Sequence, residues 1–243
     1  MSELSMGTDQ GPEPKLGVDP DERPDTPPSA VLTDFGGVLT TSVLDSFRAY
    51  SERVGDDPLL IERLFREDKE ASALLVEHEC GRLSEADFER GLAGRLREKG
   101  VDVEPAGLLA AIATGMRPDE TMLAALRGLR AQGIPVAIVS NALGDDCYEG
   151  YDLDGLADVV VISSEIGSRK PGRRIYRTAC ERLGVEPSAC VMIDDLEHNL
   201  RGPARNPWSA PRGQRRDGSR LGAAVPGRVT GLPAYPAAYT SST

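Results

Sequence analysis

The stretch Ala30-Val-Leu-Thr-Asp34-Phe-Gly-Gly-Val38 decides how the rest of the chain is read. Its first four residues are apolar or β-branched, as in a short strand covered on both faces. Asp34 ends that run, and Gly36-Gly37 lets the backbone turn tightly. A carboxylate therefore stands at the carboxyl end of a buried strand, where open α/β sheets gather their functional groups. Alone, Asp34 reads more readily as the first residue of a turn. Its weight comes from three later segments, Ser140-Asn141, Lys170-Pro171 and Asp194-Asp195, each near the end of another expected strand.

Outward from Val38 the pattern is helical from about Leu44 to Gly115. Leu59, Leu60, Leu64 and Phe65 recur at helical spacing, as do Phe88, Leu92 and Leu96. Ser84-Glu-Ala-Asp87 predicts a capped helix start. No strand-like run interrupts this block, so residues 44–115 are expected to form an all-helical lid inserted after the first strand. Beyond Pro118, helix and strand alternate: Met122 to Leu129, Ile134-Pro-Val-Ala-Ile-Val139, Val159 to Ile162, Tyr176 to Leu183, and Cys190-Val-Met-Ile193. That rhythm predicts βαβ units and a parallel sheet, an α/β fold whose core is residues 29–43 and 116–202.

The four segments together suit phosphoryl transfer. Asp34 can attack phosphorus to form an acyl-phosphate that water cleaves. A carboxylate and a phosphate are both anionic, so such a site needs a metal and fixed positive charge. Asp194 and Asp195 end a strand side by side and would repel without a cation; hard oxygen ligands of this kind suit magnesium. Their plainer reading is an acidic helix start. Lys170 is expected near the strand ends because Pro171 would occupy the first turn of the next helix. Ser140 and Asn141 offer a hydroxyl and an amide to phosphate oxygens, or simply cap a helix. Asn199, on the helix after Asp195, is placed to orient that carboxylate or a water on the metal.

Other chemistries lose ground. His78 and His198 are too few and too far apart for a histidine metal site, and read as structural or surface residues. There is no Gly-x-x-x-x-Gly-Lys-Ser/Thr loop, no Gly-x-Gly-x-x-Gly turn and no Gly-x-Ser-x-Gly elbow. Cys80, Cys147, Cys180 and Cys190 form no Cys-x-x-Cys pair and are expected as buried thiols in a reducing compartment. With 28 basic and 39 acidic residues the chain carries -11, which argues against nucleic acid or an anionic membrane as partner. Met1 to Pro28 lacks the basic and apolar regions of a signal peptide and is expected to be a disordered leader; a cytoplasmic location is expected by default. Oligomeric state leaves no mark in the sequence.

Composition breaks at about Gly202. From Arg201 to Thr243 there are seven Arg, one acidic residue and no Lys, Ile, Met or Phe. Two readings of residues 203–243 stay open, a native disordered tail and GC-rich DNA translated in a shifted frame; the abruptness of the change favours the second.

Over roughly residues 29–202, the order strand-Asp34, helical insert, strand-Ser140, Lys170-Pro171, strand-Asp194-Asp195 resembles the haloacid dehalogenase-like hydrolase superfamily. The place of the insert, with Gly81-Arg-Leu-Ser-Glu-Ala-Asp-Phe88, looks like the phosphatases similar to the N-terminal domain of soluble epoxide hydrolase. The resemblance implies a Rossmann-like core with a helical cap and a small phosphorylated substrate. It implies Asp34 as nucleophile, Ser140 and Asn141 as phosphate-binding groups, and Lys170 as the charge clamp. Magnesium would be held by Asp34, Asp194, Asp195 and the backbone carbonyl of residue 36. Family phosphatases carry a second Asp two residues after the nucleophile as general acid and base, where this chain has Gly36. The resemblance therefore leaves three outcomes open: a weakened phosphatase, a dehalogenase-type hydrolase, or a catalytically silent module that binds a ligand or partner.

Overall fold

The computed structural model describes residues 28–200. The expected leader up to residue 27 and the segment 203–243 lie outside the described residues. The chain enters as β1 (Ala30–Thr33), then runs through five helices: α1 (Val43–Val54), α2 (Leu60–Glu67), α3 (Lys69–Glu79), α4 (Glu85–Glu98) and α5 (Leu108–Ala113). The alternating half follows as α6 (Glu120–Ala131), β2 (Val136–Ser140), α7 (Leu153–Leu156), β3 (Val159–Ile162), α8 (Ser163–Ile166), α9 (Arg173–Leu183), β4 (Cys190–Ile193) and α10 (Glu197–Leu200). Among the described residues the four strands form one parallel sheet in the order β3-β2-β1-β4. This is the Rossmann-like core with an inserted all-helical cap.

β1, β2 and β4 are buried on both faces because alternate side chains go to opposite layers, while β3 is partly buried except at Val161. Val31, Val136, Ile138, Val191 and Ile193 pack with Leu123, Leu126 and Leu129 of α6. Leu32, Ala137, Val139, Val161 and Met192 pack with Ile175, Tyr176 and Ala179 of α9. The cap has its own apolar centre, in which Phe47, Ile61, Leu64, Phe88, Leu92, Leu96 and Leu108 meet. Ser84 does open α4, accepting from Asp87 N at 3.2 Å.

Two local expectations shift. The second strand begins at Val136 rather than Ile134 and runs on through Ser140. Pro135 has no N–H to give to a ladder, so it lends only its carbonyl, to Val31 N at 2.9 Å. Pro171 lies in the turn before α9, whose cap is Gly172, rather than in the helix's first turn. No helix among the described residues is long and apolar enough to cross a membrane.

Register brings the candidate groups together. Thr33 pairs with Ile193 on one side and with Ile138 on the other. Asp34 and Asp194 therefore leave adjacent strands at one level, with Ser140 one residue further along β2.

Candidate active site

At the carboxyl edge of the sheet, Lys170 Nζ lies 2.6 Å from Asp34 Oδ1 and 2.9 Å from Asp194 Oδ2. The lysine is almost fully buried, as are both carboxylates. Burial acts to lower the ammonium's pKa, but Asp34 and Asp194 outweigh it and hold it above the usual lysine value. Burial is also the largest influence on Asp34, pushing its carboxyl up to about 7 against the lowering pull of Lys170, with Asp194 adding to the rise. Phe35 N donates to Asp34 Oδ1 at 2.6 Å, so both of these contacts fall on the same oxygen.

The paired aspartates face different neighbours, as strand alternation requires. Asp194 shares the side of Met192 and α9, where Lys170 approaches. Its Oδ1 accepts from Leu196 N at 2.9 Å and Asn199 Nδ2 at 3.0 Å, and its Oδ2 also accepts from Asn199 Nδ2, at 3.1 Å. Tyr176 locks α10 in place by donating to Asn199 O at 2.7 Å. Asp195 is half-buried and turns the other way, onto Gly37. A Cβ at Gly37, whose φ is +76°, would overlap the Asp195 carboxylate, so glycine is required there by both conformation and space. Gly37 N donates to Thr40 Oγ1 at 3.1 Å, fixing the turn.

Carboxylate oxygens of Asp34, Asp194 and Asp195 lie within 4.8 Å of one another, a hard-oxygen set that could hold a divalent cation. The cradle left by the missing Gly37 side chain fits that reading. Position 36 is crowded instead: a Cβ there would stand 2.8 Å from Val43 Cγ2. A second carboxylate at residue 36 has no room unless Val43 moves.

Of the sequence-predicted groups, the structure brings together Asp34, Lys170, Asp194, Asp195 and Asn199. Ser140 is buried at the end of β2, its hydroxyl making only a long 3.5 Å contact to Asn141 O. Asn141 engages the backbone of Lys170. Its Oδ1 accepts from Lys170 N at 2.8 Å and its Nδ2 donates to Lys170 O at 3.4 Å, a two-point grip on the lysine's backbone.

Several contacts have no sequence signal. His78, buried at the end of α3, stacks on Phe88 at 4.6 Å, and its Nε2 accepts from Gly144 N at 3.3 Å. Ser163 Oγ donates to Glu79 O at 2.5 Å, and Asp145 N donates to Glu85 Oε2 at 2.6 Å. Glu79 Oε2 meets Arg169 Nε at 2.7 Å, beside Lys170. These contacts dock the cap on the loops after β2 and β3. Tyr148 and Tyr151 stand edge-on to Phe35, at 4.9 and 4.8 Å. Two concavities on the cap, of about 530 and 840 Å³, lie along α3–α4 and beside Asp56, Arg63 and Lys99, away from the aspartates.

A model of the haloacid dehalogenase-like hydrolase family matches residues 28–205, and the chain belongs to that family. It is 32% identical over 121 residues to glyceraldehyde 3-phosphate phosphatase of Methanopyrus kandleri, covering 45% of this chain and 52% of that one. It is 32% identical over 116 residues to Phosphatase MT3486 of Mycobacterium tuberculosis, covering 42% and 54%. The chain thus spans about half the length of these curated relatives. Among solved structures, it resembles a haloacid dehalogenase-family enzyme of Bacteroides thetaiotaomicron in complex with magnesium and inorganic phosphate, with a TM-score of 0.54 and 22% identity over 75% of this chain and 91% of that one. It also resembles L-2-haloacid dehalogenase of Xanthobacter autotrophicus with chloropropionic acid covalently bound, with a TM-score of 0.53 and 20% identity over 72% of each chain. At those identities the likeness is one of fold.

Proposed function

We propose that this chain is a magnesium-dependent phosphatase for a small phosphorylated molecule, acting through an aspartyl-phosphate on Asp34, with its cap formed by residues 44–115 and akin to that of the phosphatase domain of soluble epoxide hydrolase. The observation that carries this reading is the buried ammonium of Lys170 between Asp34 and Asp194, with Asp195 alongside. The phosphatases among the relatives and the magnesium and phosphate held by a structural neighbour support it.

Asp34 Oδ2, which neither Lys170 nor Phe35 N engages, is the attacking oxygen. It forms a bond to phosphorus as the bond from phosphorus to the leaving oxygen breaks, and the leaving oxygen takes a proton from solvent water. A second water then attacks phosphorus, releasing orthophosphate and restoring the carboxylate. Lys170 neutralises Asp34 and a phosphoryl oxygen, and Ser140 donates to another. Asn141 acts by gripping Lys170 rather than by reaching the phosphate. Magnesium would be held by Asp34, Asp195, the Gly36 carbonyl and Asp194, the last oriented by Asn199; when bound it neutralises charge on the transferring group. Gly36 supplies no acid, and a positioned acid is worth about 10²- to 10⁴-fold in rate, so the reaction favours substrates whose leaving group departs unaided.

Gly36 also favours a second reading, a silent binding module, and leaves room for dehalogenase-type chemistry at the same carboxylate. The deciding experiment is magnesium-dependent hydrolysis of an aryl phosphate by the folded protein and its Asp34→Asn variant. Activity that needs magnesium and disappears in the variant supports the phosphatase. Equal or absent activity in the two folded proteins removes it, and 2-haloacids are then the substrates to try.

A further inference from the structure

The loop that follows Ser140-Asn141 places near the nucleophile one polar group that neither the chemistry above nor the helix and strand patterns account for. The Tyr148 hydroxyl is buried from solvent and has no hydrogen-bond partner among the described residues. Buried hydroxyls are ordinarily bonded, and one that is not calls for a reason. The hydroxyl lies among the Ser140 and Cys147 side chains and near enough to Asp34 to feel its charge. Its ring is held by Phe35, edge-on at 4.9 Å, and Phe35 is tied through its own N–H to Asp34 Oδ1. The hydroxyl is therefore fixed relative to the nucleophile.

We propose that Tyr148 is a catalytic residue of this site, its hydroxyl donating a hydrogen bond to a non-bridging oxygen of the transferring phosphoryl group, beside the hydroxyl of Ser140. The inference rests on the phosphatase reading. Burial, then the neighbouring Cys147 and Asp34, push the phenol well above its ordinary range, so it stays a donor at every pH of interest. A donor held beside Ser140 and near the Asp34 carboxylate complements an anionic oxygen, and it gains strength where charge builds in the transition state. The hydroxyl keeps its proton throughout, so the bonds made and broken remain those of the Asp34 reaction. The site thereby recovers, through phosphoryl-oxygen stabilisation, part of what the crowding of Gly36 against Val43 denies it in acid catalysis.

The test compares wild type, Tyr148→Phe and Asp34→Asn in magnesium, on a series of aryl phosphates whose leaving groups span a range of acidity, with inorganic phosphate as a competitive inhibitor. Phenylalanine keeps the ring against Phe35, and matched thermal melts check that the fold is retained. The expected result is a loss in kcat/KM of about 10- to 100-fold for Tyr148→Phe, the same for every leaving group, with a several-fold weaker inhibition by phosphate. Wild-type rates and inhibition in Tyr148→Phe, with Asp34→Asn inactive, would overturn the role of Tyr148 and leave the phosphatase standing. A loss that grows as the leaving group worsens would place the hydroxyl on the leaving oxygen and overturn the assignment to the phosphoryl group. Equal rates in wild type and Asp34→Asn would remove both readings together.

Discussion

Arg95 in the cap and Lys170 in the core each gather more than one carboxylate. Arg95 of α4 reaches Asp68, Glu70 and Glu98 at 2.5, 2.7 and 2.8 Å. Lys170 reaches Asp34 and Asp194 at 2.6 and 2.9 Å. The distances are alike, but the settings are not: the Arg95 side chain is 19% exposed with two partners well into solvent, and that of Lys170 is 1% exposed with both partners buried. Water and salt screen most of the first cluster, whose exposed partners Glu70 and Glu98 can be exchanged at little cost. The second stands in low dielectric, where taking away one charge strands the others. A buried cluster of this kind is a burden on folding, and the proposed phosphoryl chemistry would be the reason to keep it.

The sharpest way to break that contrast is Lys170→Met. With two carboxylates left uncompensated, stability at pH 8 should fall by about 3–5 kcal/mol, and hydrolysis of an aryl phosphate should drop by at least about 10³-fold. Urea unfolding repeated at pH 5 should recover part of the loss, because the stranded carboxylates then take up protons. An unchanged midpoint at pH 8 would refute the account of the core cluster.

A smaller effect tests the border between the two regions. Burial pushes Glu79 up to about 7, with Arg169 and Lys170 pulling it down. The native state then holds this proton more tightly than the unfolded chain does, whose value is near 4.5. Its contribution to stability is present below about pH 4.5 and lost as pH rises through about 7. Glu79→Gln should flatten the decline in stability between pH 5 and 8 by on the order of 1–3 kcal/mol. An identical slope in the variant would show that the carboxyl is not held out of water.

The smallest expected change is in the cap. Arg95→Ala should leave activity untouched and move the unfolding midpoint by a small fraction of the Lys170 effect, less again in molar salt. A loss comparable to that of Lys170→Met would erase the distinction.

The sequence carried the fold and the site unequally, for physical reasons. Ala30–Thr33 and Cys190–Ile193 are legible as strands because continuous burial demands continuous apolarity, and Val159–Ile162, partly buried but for Val161, carries the same apolar, β-branched run. Ile134-Pro-Val invited an early start to β2, since an apolar run does not say where the ladder begins. Asp34, Lys170 and the Asp194-Asp195 pair stood out because parallel strands end together. What Asn141 grips, which aspartate faces Lys170, and why residue 36 is full depend on side chains approaching across the fold. Local pattern does not encode such approaches. Tyr148 was hidden for the same cause: nothing in Asp145-Asp-Cys-Tyr-Glu-Gly-Tyr151 is periodic, and its meaning comes only from Phe35 and Ser140 across the site.

Beside the Glu79–Arg169 ion pair, three contacts that seat the cap share one trait: each joins a side chain of one region to the main chain of the other. His78 receives the amide of Gly144, Glu85 that of Asp145, and Ser163 gives to the carbonyl of Glu79. Main-chain groups survive any change of residue except, for an N–H, a change to proline, so position 145 can otherwise vary without undocking the lid. Gly144 is the exception, its φ of +102° binding it to glycine. A lid seated this way can exchange the side chain at position 145 while the main-chain contacts that hold it are inherited unchanged.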